Sequence, residues 1–272
     1  MKVLDSLAQF QDWRRAMGAA QIGFVPTMGA LHIGHESLIQ RSVATADLTV
    51  LSIYVNPTQF DNPDDLQKYP NLLEQDLAFA ERAGVDAVLL PTYGEIYADG
   101  FRYAIEERQL SKTLCGAHRD GHFTGVLTVV MKLLNIVQPR WAFFGEKDYQ
   151  QFELIRGMAQ AFFLPVEVVP CTTVREASGL AFSSRNLNLD AEGKRLAPKL
   201  YELIRSAASD AEVSRQLTAS GFVVDYIETL DQRRYAAARL GQGANQVRLI
   251  DNVPLDNVPL DNAPTVSEPI LA

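Results

Sequence analysis

The protein contains, at residues 22–39, the stretch Ile-Gly-Phe-Val-Pro-Thr-Met-Gly-Ala-Leu-His-Ile-Gly-His-Glu-Ser-Leu-Ile. Its first part, residues 22–26, is an apolar run short enough to be a buried parallel strand. A turn with glycine follows, and apolar residues from Leu38 to Ala46 then repeat with a helical period. The stretch therefore predicts a strand, a tight turn and the start of a helix.

Two histidines fall in this turn. His32 and His35 are three residues apart with Gly34 between them, so a helix would place both imidazoles on one side of its first turn. A helix N-terminus exposes N–H groups and carries positive dipole, which favours a bound phosphate. A pair of surface histidines and a zinc site are the alternatives. Two of the chain's four histidines lie in this one turn, which favours the phosphate site.

Composition limits the function further. The chain has 272 residues, 47% hydrophobic and 21% charged, and a formal net charge of −8, which argues against a general nucleic-acid binder. The first residues lack the apolar core of a signal peptide, and no run approaches the roughly 20 apolar residues of a membrane span. We expect a cytoplasmic protein that does not enter a membrane. Cys115 and Cys171 are expected to be buried thiols rather than a disulfide.

Helical patterns alternate with short apolar runs along most of the chain. Apolar residues at helical spacing predict helices within residues 5–19, 73–80, 126–137 and 155–162. Besides the run at 22–26, β-rich runs predict strands at residues 48–55, 85–90, 141–144 and 166–169. Strands that alternate with helices favour a parallel sheet covered on both faces. The sequence therefore predicts an α/β fold with a Rossmann-like doubly wound parallel sheet.

The pattern changes after Asn186. A helix is predicted over residues 196–207, with Pro198 near its start, and strands are predicted at 222–228 and 247–250. We therefore predict two domains, residues 1–180 and a smaller α+β domain of residues 181–272, with the boundary between 175 and 190. A five-residue repeat, Val-Pro-Leu-Asp-Asn, predicts a mobile or extended low-complexity tail over about residues 252–272.

Polar clusters follow the predicted strands. Asn56–Phe60 follows the second strand of the sheet, and Gly145–Gln151 follows the strand at 141–144. Ligands of open parallel sheets bind beyond the carboxyl ends of the strands, where the strand order reverses. A third cluster, Phe182–Arg185, contains two serine hydroxyls next to an arginine. Hydroxyls and a guanidinium can both donate hydrogen bonds to the oxygens of a phosphate. Its alternative is a helix-capping serine before Asp190.

At residues 26–35 the chain resembles the HIGH-motif nucleotidyltransferases, which make acyl or nucleotidyl adenylates from ATP. Within that group, Pro-Thr-Met-Gly-Ala-Leu-His-Ile-Gly-His is similar to the pantothenate synthetase (pantoate–β-alanine ligase) family. The resemblance covers most of residues 20–190 in several ordered motifs, and it implies a homodimeric ligase. It is weaker in the C-terminal part, apart from Arg248–Asn252, and the repeated tail is unlike the family.

The resemblance also implies which residues form the site. His32, His35 and Lys147 are the implied catalytic residues, with His35 as proton donor. Gln59 and Gln151 are implied to bind pantoate, and Gln59 also to lie near β-alanine. The residues implied to bind ATP are Met28, Gly29, Ala30, Leu31, His32, Ile33, Gly34, His35, Gly145, Glu146, Lys147, Asp148, Val174, Phe182, Ser183, Ser184 and Arg185. Among them Lys147 is expected toward the phosphates and Asp148 toward the ribose.

Three features stand apart from these assignments. Phe182 occupies a position where the family commonly has Met or Leu, and Thr58 one where it commonly has Met. Neither change removes a catalytic group. The segment Arg119–Val126 also resembles the family, without an assigned role.

The implied reaction is the ATP-dependent condensation of pantoate with β-alanine to pantothenate through a pantoyl adenylate, releasing pyrophosphate and AMP. A magnesium ion on the phosphates is expected, although the sequence shows no cluster of metal ligands. Two other functions stay open. One is a nucleotidyltransferase that joins two nucleotides or modifies a phosphopantetheine, and the other is a non-catalytic ATP-binding regulatory module.

Overall fold

The computed structural model describes residues 1–241, 243 and 246–255. The chain divides into two units, residues 1–187 and residues 188 onward. The division follows Leu187, which lies within the predicted boundary region of residues 175–190 and beyond the predicted domain end at residue 180. The cluster Phe182–Arg185 therefore belongs to the larger unit.

A six-stranded parallel sheet forms the centre of the larger unit. Its strands are β1 (Lys2–Leu4), β2 (Ile22–Thr27), β3 (Leu48–Ile53), β4 (Ala87–Leu89), β5 (Trp141–Gly145) and β6 (Glu167–Cys171). The helices of the same unit are α1 (Leu7–Ala16), α2 (Ile33–Val43), α3 (Pro63–Gln67), α4 (Leu73–Arg82), α5 (Tyr93–Ile96), α6 (His122–Val137) and α7 (Tyr149–Ala161). The predicted parallel α/β sheet is confirmed.

The strand order reverses at β2. Across the sheet the order is β1-β4-β3-β2-β5-β6, so the chain first moves from β2 to β3 and β4, and later places β5 on the opposite side of β2. Such a reversal opens a crevice beyond the carboxyl ends of the two strands that flank it. The histidine turn follows the carboxyl end of β2. The cluster Gly145–Gln151 begins at the carboxyl end of β5, on the other side of the same crevice.

Burial explains why residues 22–39 fold as they do. Phe24 and Val25 of β2 are fully buried, as expected of a parallel strand covered on both faces. Ile39 of α2 packs with Val25 and Leu51 in one apolar cluster. A buried hydrogen bond of 2.8 Å between the hydroxyls of Ser42 and Thr49 also ties α2 to β3. These contacts fix the position of the N-terminus of α2 over the sheet.

The smaller unit is helical at first and then β. Its elements are α8 (Ala191–Leu196), α9 (Pro198–Ile204), α10 (Asp210–Ala219), β7 (Val223–Leu230), β8 (Arg233–Leu240) and β9 (Val247–Pro254). The three strands form an antiparallel sheet in the order β7-β8-β9. Arg234 of β8 is 1% exposed and donates hydrogen bonds to Asp210 and to the backbone oxygens of Ile204, Ser206 and Ala208. It thereby ties the end of α9 to the sheet.

Several elements of this unit differ from the prediction. The helix predicted over residues 196–207 is shorter than expected, since α9 covers Pro198–Ile204. It begins at Pro198 because proline has no N–H with which to continue α8, a separate helix that was not predicted. Strand β8 and helix α10 were not predicted. The strand contains Ala236, Ala237 and Ala238, and alanine carries little β preference. These alanines are nevertheless buried, because β8 is the central strand of its sheet.

The predicted tail begins too early. Strand β9 extends to Pro254, so Val253 and Pro254, the first two residues of the repeat, are part of the sheet. Val253 and Leu255 are 6% and 4% exposed, and the N–H of Leu255 donates to the oxygen of Gln232 at 2.7 Å. Residues 252–255 are therefore packed rather than mobile, and the strand to Pro254 agrees with the extended alternative of the prediction. The rest of the predicted tail, residues 256–272, lies outside the described residues.

This correction moves the point at which the chain can be shortened. A chain that ends after Leu255 is expected to keep the unfolding midpoint of the full chain. A chain that ends after Asn252 loses two buried apolar side chains, each contributing roughly 1.5–3 kcal/mol, and is expected to unfold at lower denaturant concentration. Denaturant titration of both chains tests this. Equal midpoints for the two would contradict it.

The cysteines and the apolar helices can also be compared with the expectations. Cys115 and Cys171 are both buried thiols, as expected. Within the part of the chain that the structure describes, no helix combines the length and the apolar character needed to cross a membrane.

Candidate functional site

The turn between β2 and α2 is held by a carboxylate that is distant in the sequence. Gly29 and Ala30 have positive φ angles of 82° and 50°. Asp76, buried in the first turn of α4, accepts hydrogen bonds from the N–H groups of Ala30 and Leu31 at 2.9 and 2.7 Å. A Cβ on Gly29 would lie 2.9 Å from the Asp76 carboxylate, so this position needs glycine. Asp76 therefore fixes the turn that leads into the histidines.

The two histidines cap α2 reciprocally. His32 is the N-cap residue, and its Nδ1 accepts the N–H of Gly34 at 3.1 Å. The Nδ1 of His35 accepts the N–H of His32 at 3.3 Å, and the two ring centroids are 4.1 Å apart. Because both Nδ1 atoms are acceptors, the neutral rings carry their proton on Nε2. Each histidine can therefore donate one Nε2–H hydrogen bond to a ligand at the start of the helix.

Both rings are held in the neutral form. Burial, followed by the positive charge of Lys147, lowers the pKa of His32 to about 4. Burial, followed by the charge of His32, lowers the pKa of His35 to about 3. Near neutral pH the pair therefore supplies hydrogen-bond donors rather than positive charge. The implied role of His35 as a proton donor stays a prediction.

The loop after β5 lies close enough to act on this pair. Lys147 and Asp148 belong to a short 3-10 turn, and their charges influence the pKa values of His32 and His35 in opposite directions. The Nζ of Lys147 lies 3.5 Å from the Asp148 carboxylate, and the lysine side chain is 18% exposed. The structure thus places the predicted lysine and the predicted histidines at the same end of β2 and β5.

Gln59 is oriented by a buried asparagine. It ends the 3-10 turn Pro57–Gln59 after β3, and its Oε1 accepts a hydrogen bond from Nδ2 of Asn56 at 3.0 Å. Asn56 is 1% exposed, and its own oxygen accepts from the hydroxyl of Tyr97 at 2.7 Å. Since the carbonyl end of the Gln59 amide accepts this bond, its NH₂ group is the end that can donate to a ligand.

Thr58 takes part in the same network. Its hydroxyl donates to Oδ1 of Asn56 at 3.1 Å and lies 3.0 Å from the hydroxyl of Tyr97. A methionine, common at this position in the resembling family, would not form these bonds. Thr58, unlike a methionine, therefore helps to hold the Asn56 side chain in place.

The two glutamines at the start of α7 have different environments. Gln150 is 5% exposed, and its amide bonds the oxygens of Leu110 and Thr113 and the N–H of Cys115. It organises the chain before α6. Gln151, the residue predicted to bind pantoate, is half-buried in the first turn of α7. That turn follows β5, the neighbour of β2.

The cluster Phe182–Arg185 contacts both sides of the predicted ATP site. The N–H of Phe182 donates to the oxygen of Val174 at 3.1 Å, and its ring stacks on His32 with centroids 6.5 Å apart. Phe182, where the family commonly has Met or Leu, therefore contributes an aromatic ring that contacts His32, a predicted catalytic residue. Arg185 pairs with Asp65 of α3 at 3.1 Å, and Ser183 accepts the N–H of Arg185 within the loop. Asp190, not a serine of this loop, caps α8.

Sequence reasoning missed Asp76 and gave Asn56 no separate role. Asp76 falls on a predicted helix, where an acidic residue in the first turn is ordinary. Its partners lie 46 and 45 residues away, so no local pattern could identify it. In the described ranges no group of three or more His, Cys, Asp or Glu side chains is arranged to hold a metal ion.

The doubly wound parallel sheet with paired histidines capping a helix at its switch point agrees with the resemblance to the HIGH-motif nucleotidyltransferases. A family model described as pantoate-beta-alanine ligase matches residues 2–254. The chain therefore belongs to the pantoate–β-alanine ligase family, and the predicted family and enzyme class are confirmed.

Individual relatives agree with this membership. The chain is 53% identical over 254 residues to a pantothenate synthetase from Bdellovibrio bacteriovorus, covering 93% of this chain and 99% of the relative. It is 45% identical over 253 residues to one from Legionella pneumophila, with 93% and 99% covered.

Solved structures are similar as well. A pantoate-beta-alanine ligase from Francisella tularensis, complexed with beta-gamma ATP and beta-alanine, is 41% identical with a TM-score of 0.89 and covers 95% of this chain and 99% of its own. A pantothenate synthetase from Thermus thermophilus is 37% identical with a TM-score of 0.84, with 94% and 99% covered.

Proposed function

We propose that this protein condenses pantoate with β-alanine, using ATP, and releases pantothenate, AMP and pyrophosphate. The observation that carries the proposal is the pair of neutral imidazole N–H donors at the N-terminus of α2, at the switch point of the sheet, in a chain of this family. The Francisella tularensis ligase, which is complexed with beta-gamma ATP and beta-alanine, supports the same two substrates here.

The reaction has two steps. An oxygen of the pantoate carboxylate first attacks the α-phosphorus of ATP, and pyrophosphate leaves with the electrons of the broken P–O bond. The amine of β-alanine then attacks the acyl carbon of pantoyl adenylate, AMP leaves, and the amine loses a proton to solvent. The first step requires positioning and charge stabilisation more than covalent chemistry from the protein.

The residues around the α2 N-terminus suit the ATP half of the reaction. The Nε2–H groups of His32 and His35 at the N-terminus of α2 donate to phosphate oxygens, and Lys147 supplies positive charge. The remaining ATP contacts are proposed to come from Met28–His35, Gly145–Asp148, Val174 and Phe182–Arg185. Mg²⁺ is proposed to enter on the ATP phosphates as part of the substrate, because the described residues form no acidic cluster of their own.

The two glutamines suit the pantoate half. Gln59 presents its NH₂ group, which fits a carboxylate or hydroxyl oxygen, and we place β-alanine near the same residue. Gln151 is proposed to bind pantoate from the first turn of α7. The buried thiols support a reducing, cytoplasmic compartment. A homodimer is part of the proposal on the resemblance to the family alone.

Product analysis by mass spectrometry tests the proposed reaction. A mixture of the protein with ATP, Mg²⁺, pantoate and β-alanine is expected to yield pantothenate, AMP and pyrophosphate in equal amounts. Without β-alanine, label is expected to exchange between pyrophosphate and ATP only when pantoate is present. Formation of ADP, or adenylyl transfer to phosphopantetheine without pantoate use, would sink the proposal.

Replacing Gln151 by alanine is expected to weaken pantoate binding by about 10- to 100-fold, with ATP affinity little changed. A buried polar group of the ligand left without its partner costs roughly 1–3 kcal/mol, which corresponds to that range. Calorimetric titration of the variant with pantoate and with ATP, separately, measures both. Gln160→Ala, an exposed glutamine on the same helix, is the control. An equal fall in both affinities would assign Gln151 to the nucleotide site instead.

A further inference from the structure

The segment Arg119–His122, which the sequence left without a role, surrounds the backbone of Gln59. Nδ1 of His122 donates to the Gln59 carbonyl oxygen at 2.7 Å, and Nη2 of Arg119 reaches the same oxygen at 3.3 Å. Arg119 also donates from Nη1 to Nε2 of His122 at 3.0 Å and from Nε to Asp61 at 2.8 Å. We propose that Arg119 and His122 are positioning residues that hold Gln59 for recognition of the acid substrate.

The turn that carries Gln59 is held only in part by its own hydrogen bonds. It is a single 3-10 turn of three residues, with a bond of 3.5 Å from the N–H of Gln59 to the oxygen of Asn56 and a bond of 3.2 Å from the N–H of Phe60 to the oxygen of Pro57. The first of these bonds is too long to contribute much. Contacts from other elements therefore add to the local bonds in setting the position of Gln59.

Gln59 is held at both ends. Its side-chain amide is oriented by Asn56, the N-cap residue of the same turn, while its backbone carbonyl is held by His122 and Arg119 from a distant part of the chain. Helix α6 also approaches so closely at Gly125 that a Cβ there would lie 2.3 Å from the oxygen of Thr58. With its carbonyl fixed at one end and its Oε1 at the other, Gln59 presents its NH₂ group in one direction.

His122 acts through Gln59 rather than on the substrate directly. Both ring nitrogens already have protein partners, one as donor and one as acceptor. The ring is 8% exposed, and burial, followed by the charge of Arg119, lowers its pKa to about 4. It is thus neutral near pH 7 and carries its proton on Nδ1, the opposite tautomer to that of His32 and His35. The Arg119 side chain, 12% exposed, is likewise committed to Asp61, His122 and Gln59.

This inference rests on the proposed function, because it assigns the consequence to pantoate. A fixed amide discriminates between acids better than a mobile one, since a ligand group left unpaired in a buried site costs roughly 1–3 kcal/mol. The same range corresponds to about 10- to 100-fold in affinity. Loss of the His122 bond should therefore weaken pantoate binding without a comparable effect on ATP.

Two substitutions at His122 separate positioning from simple packing. In His122→Asn the side-chain NH₂ lies near the place of Nδ1 and can still donate to the Gln59 carbonyl. In His122→Gln the amide extends toward the place of Nε2 and loses that bond. Asp120→Asn, in the same loop and exposed, is the matched control.

Calorimetric titrations with pantoate and with ATP, made separately, are the measurement. For His122→Gln we expect a pantoate Kd about 10- to 100-fold higher and an ATP Kd changed by less than about 3-fold. His122→Asn should recover most of the pantoate affinity, and Asp120→Asn should match the unaltered chain. Arg119→Lys keeps the charge beside Asp61 but loses the planar fork, and a smaller rise in the pantoate Kd is expected.

The possible results separate the inference from the proposed function. If the unaltered chain does not bind pantoate, the proposed function fails and this inference with it. If the unaltered chain binds pantoate and His122→Gln binds it equally well, the inference alone is overturned. Equal weakening of ATP and pantoate would mean that His122 only supports the fold. If His122→Gln does not fold, Arg119→Lys decides, and an unchanged pantoate Kd in that variant overturns the inference.

Discussion

Replacing His35 by alanine is expected to lower the rate of pantoate adenylation by about 10²- to 10³-fold, the usual effect of removing one donor to developing charge. The reason is geometric. Nδ1 of His35 is occupied by the N–H of His32, so the ring presents Nε2–H at the N-terminus of α2. The same change removes one bond of the helix cap and should cost about 1 kcal/mol of stability.

His35→Gln separates hydrogen-bond donation from proton transfer. The glutamine amide extends toward the position of Nε2 and can donate a hydrogen bond, but it cannot transfer a proton. If the neutral ring acts as a donor, His35→Gln should keep clearly more adenylation activity than His35→Ala. Equal losses in the two variants, with normal unfolding midpoints, would favour the proton-donor role. A large fall in stability with near-normal turnover would show that His35 is structural.

The pH behaviour of the same residue can be observed directly. The pKa values of His32 and His35 lie at about 4 and about 3, below the ordinary histidine value, so in the free protein neither ring should take up a proton between pH 8 and pH 5. Nitrogen-15 NMR of the imidazoles should show the Nε2–H tautomer for both and the Nδ1–H tautomer for His122. A titration of His35 near pH 6.5 would contradict the burial argument.

The second large effect is expected at Asp76, which never appears in the predicted site. Asp76→Asn keeps the size of the side chain, but the NH₂ group of asparagine cannot accept the N–H of both Ala30 and Leu31. One buried N–H then lacks an acceptor, at a cost of roughly 1–3 kcal/mol. The turn before His32 should relax, and a displacement of about 1 Å at a catalytic group can lower the rate by about 10²-fold.

The experiment compares Asp76→Asn with Glu74→Gln. Glu74 is an exposed acid in the same first turn of α4, so it corrects for the loss of one negative charge near that helix N-terminus. Pantoate-dependent ATP–pyrophosphate exchange and the midpoint of denaturant unfolding should both fall in Asp76→Asn and stay near normal in Glu74→Gln. Loss of stability with full exchange activity would mean that Asp76 supports the fold without positioning the histidines.

Part of the site could be predicted because its signals are local. A strand, a glycine turn and a helix start follow one another within residues 22–39, and each depends on neighbouring residues. The same holds for the strand predicted at residues 141–144 and the polar residues directly after it. The order of strands and helices then limits the sheet to few arrangements, since crossovers in parallel sheets follow strong rules. Strand β8 escaped prediction because its alanines favour a strand only in the interior of a packed sheet.

The sequence by itself thus determined the parallel α/β class, the helix that begins with two histidines, and the membership in a family of ligases. Only the tertiary structure decided how those groups are held. Asp76 reaches the histidine turn across 46 residues, and His122 reaches Gln59 across 63. It also decided the charge of the histidines, because burial and the nearby Lys147 set their pKa values. These hydrogen bonds and this burial depend on which surfaces pack together in the fold. They therefore cannot be predicted from the local pattern of residues.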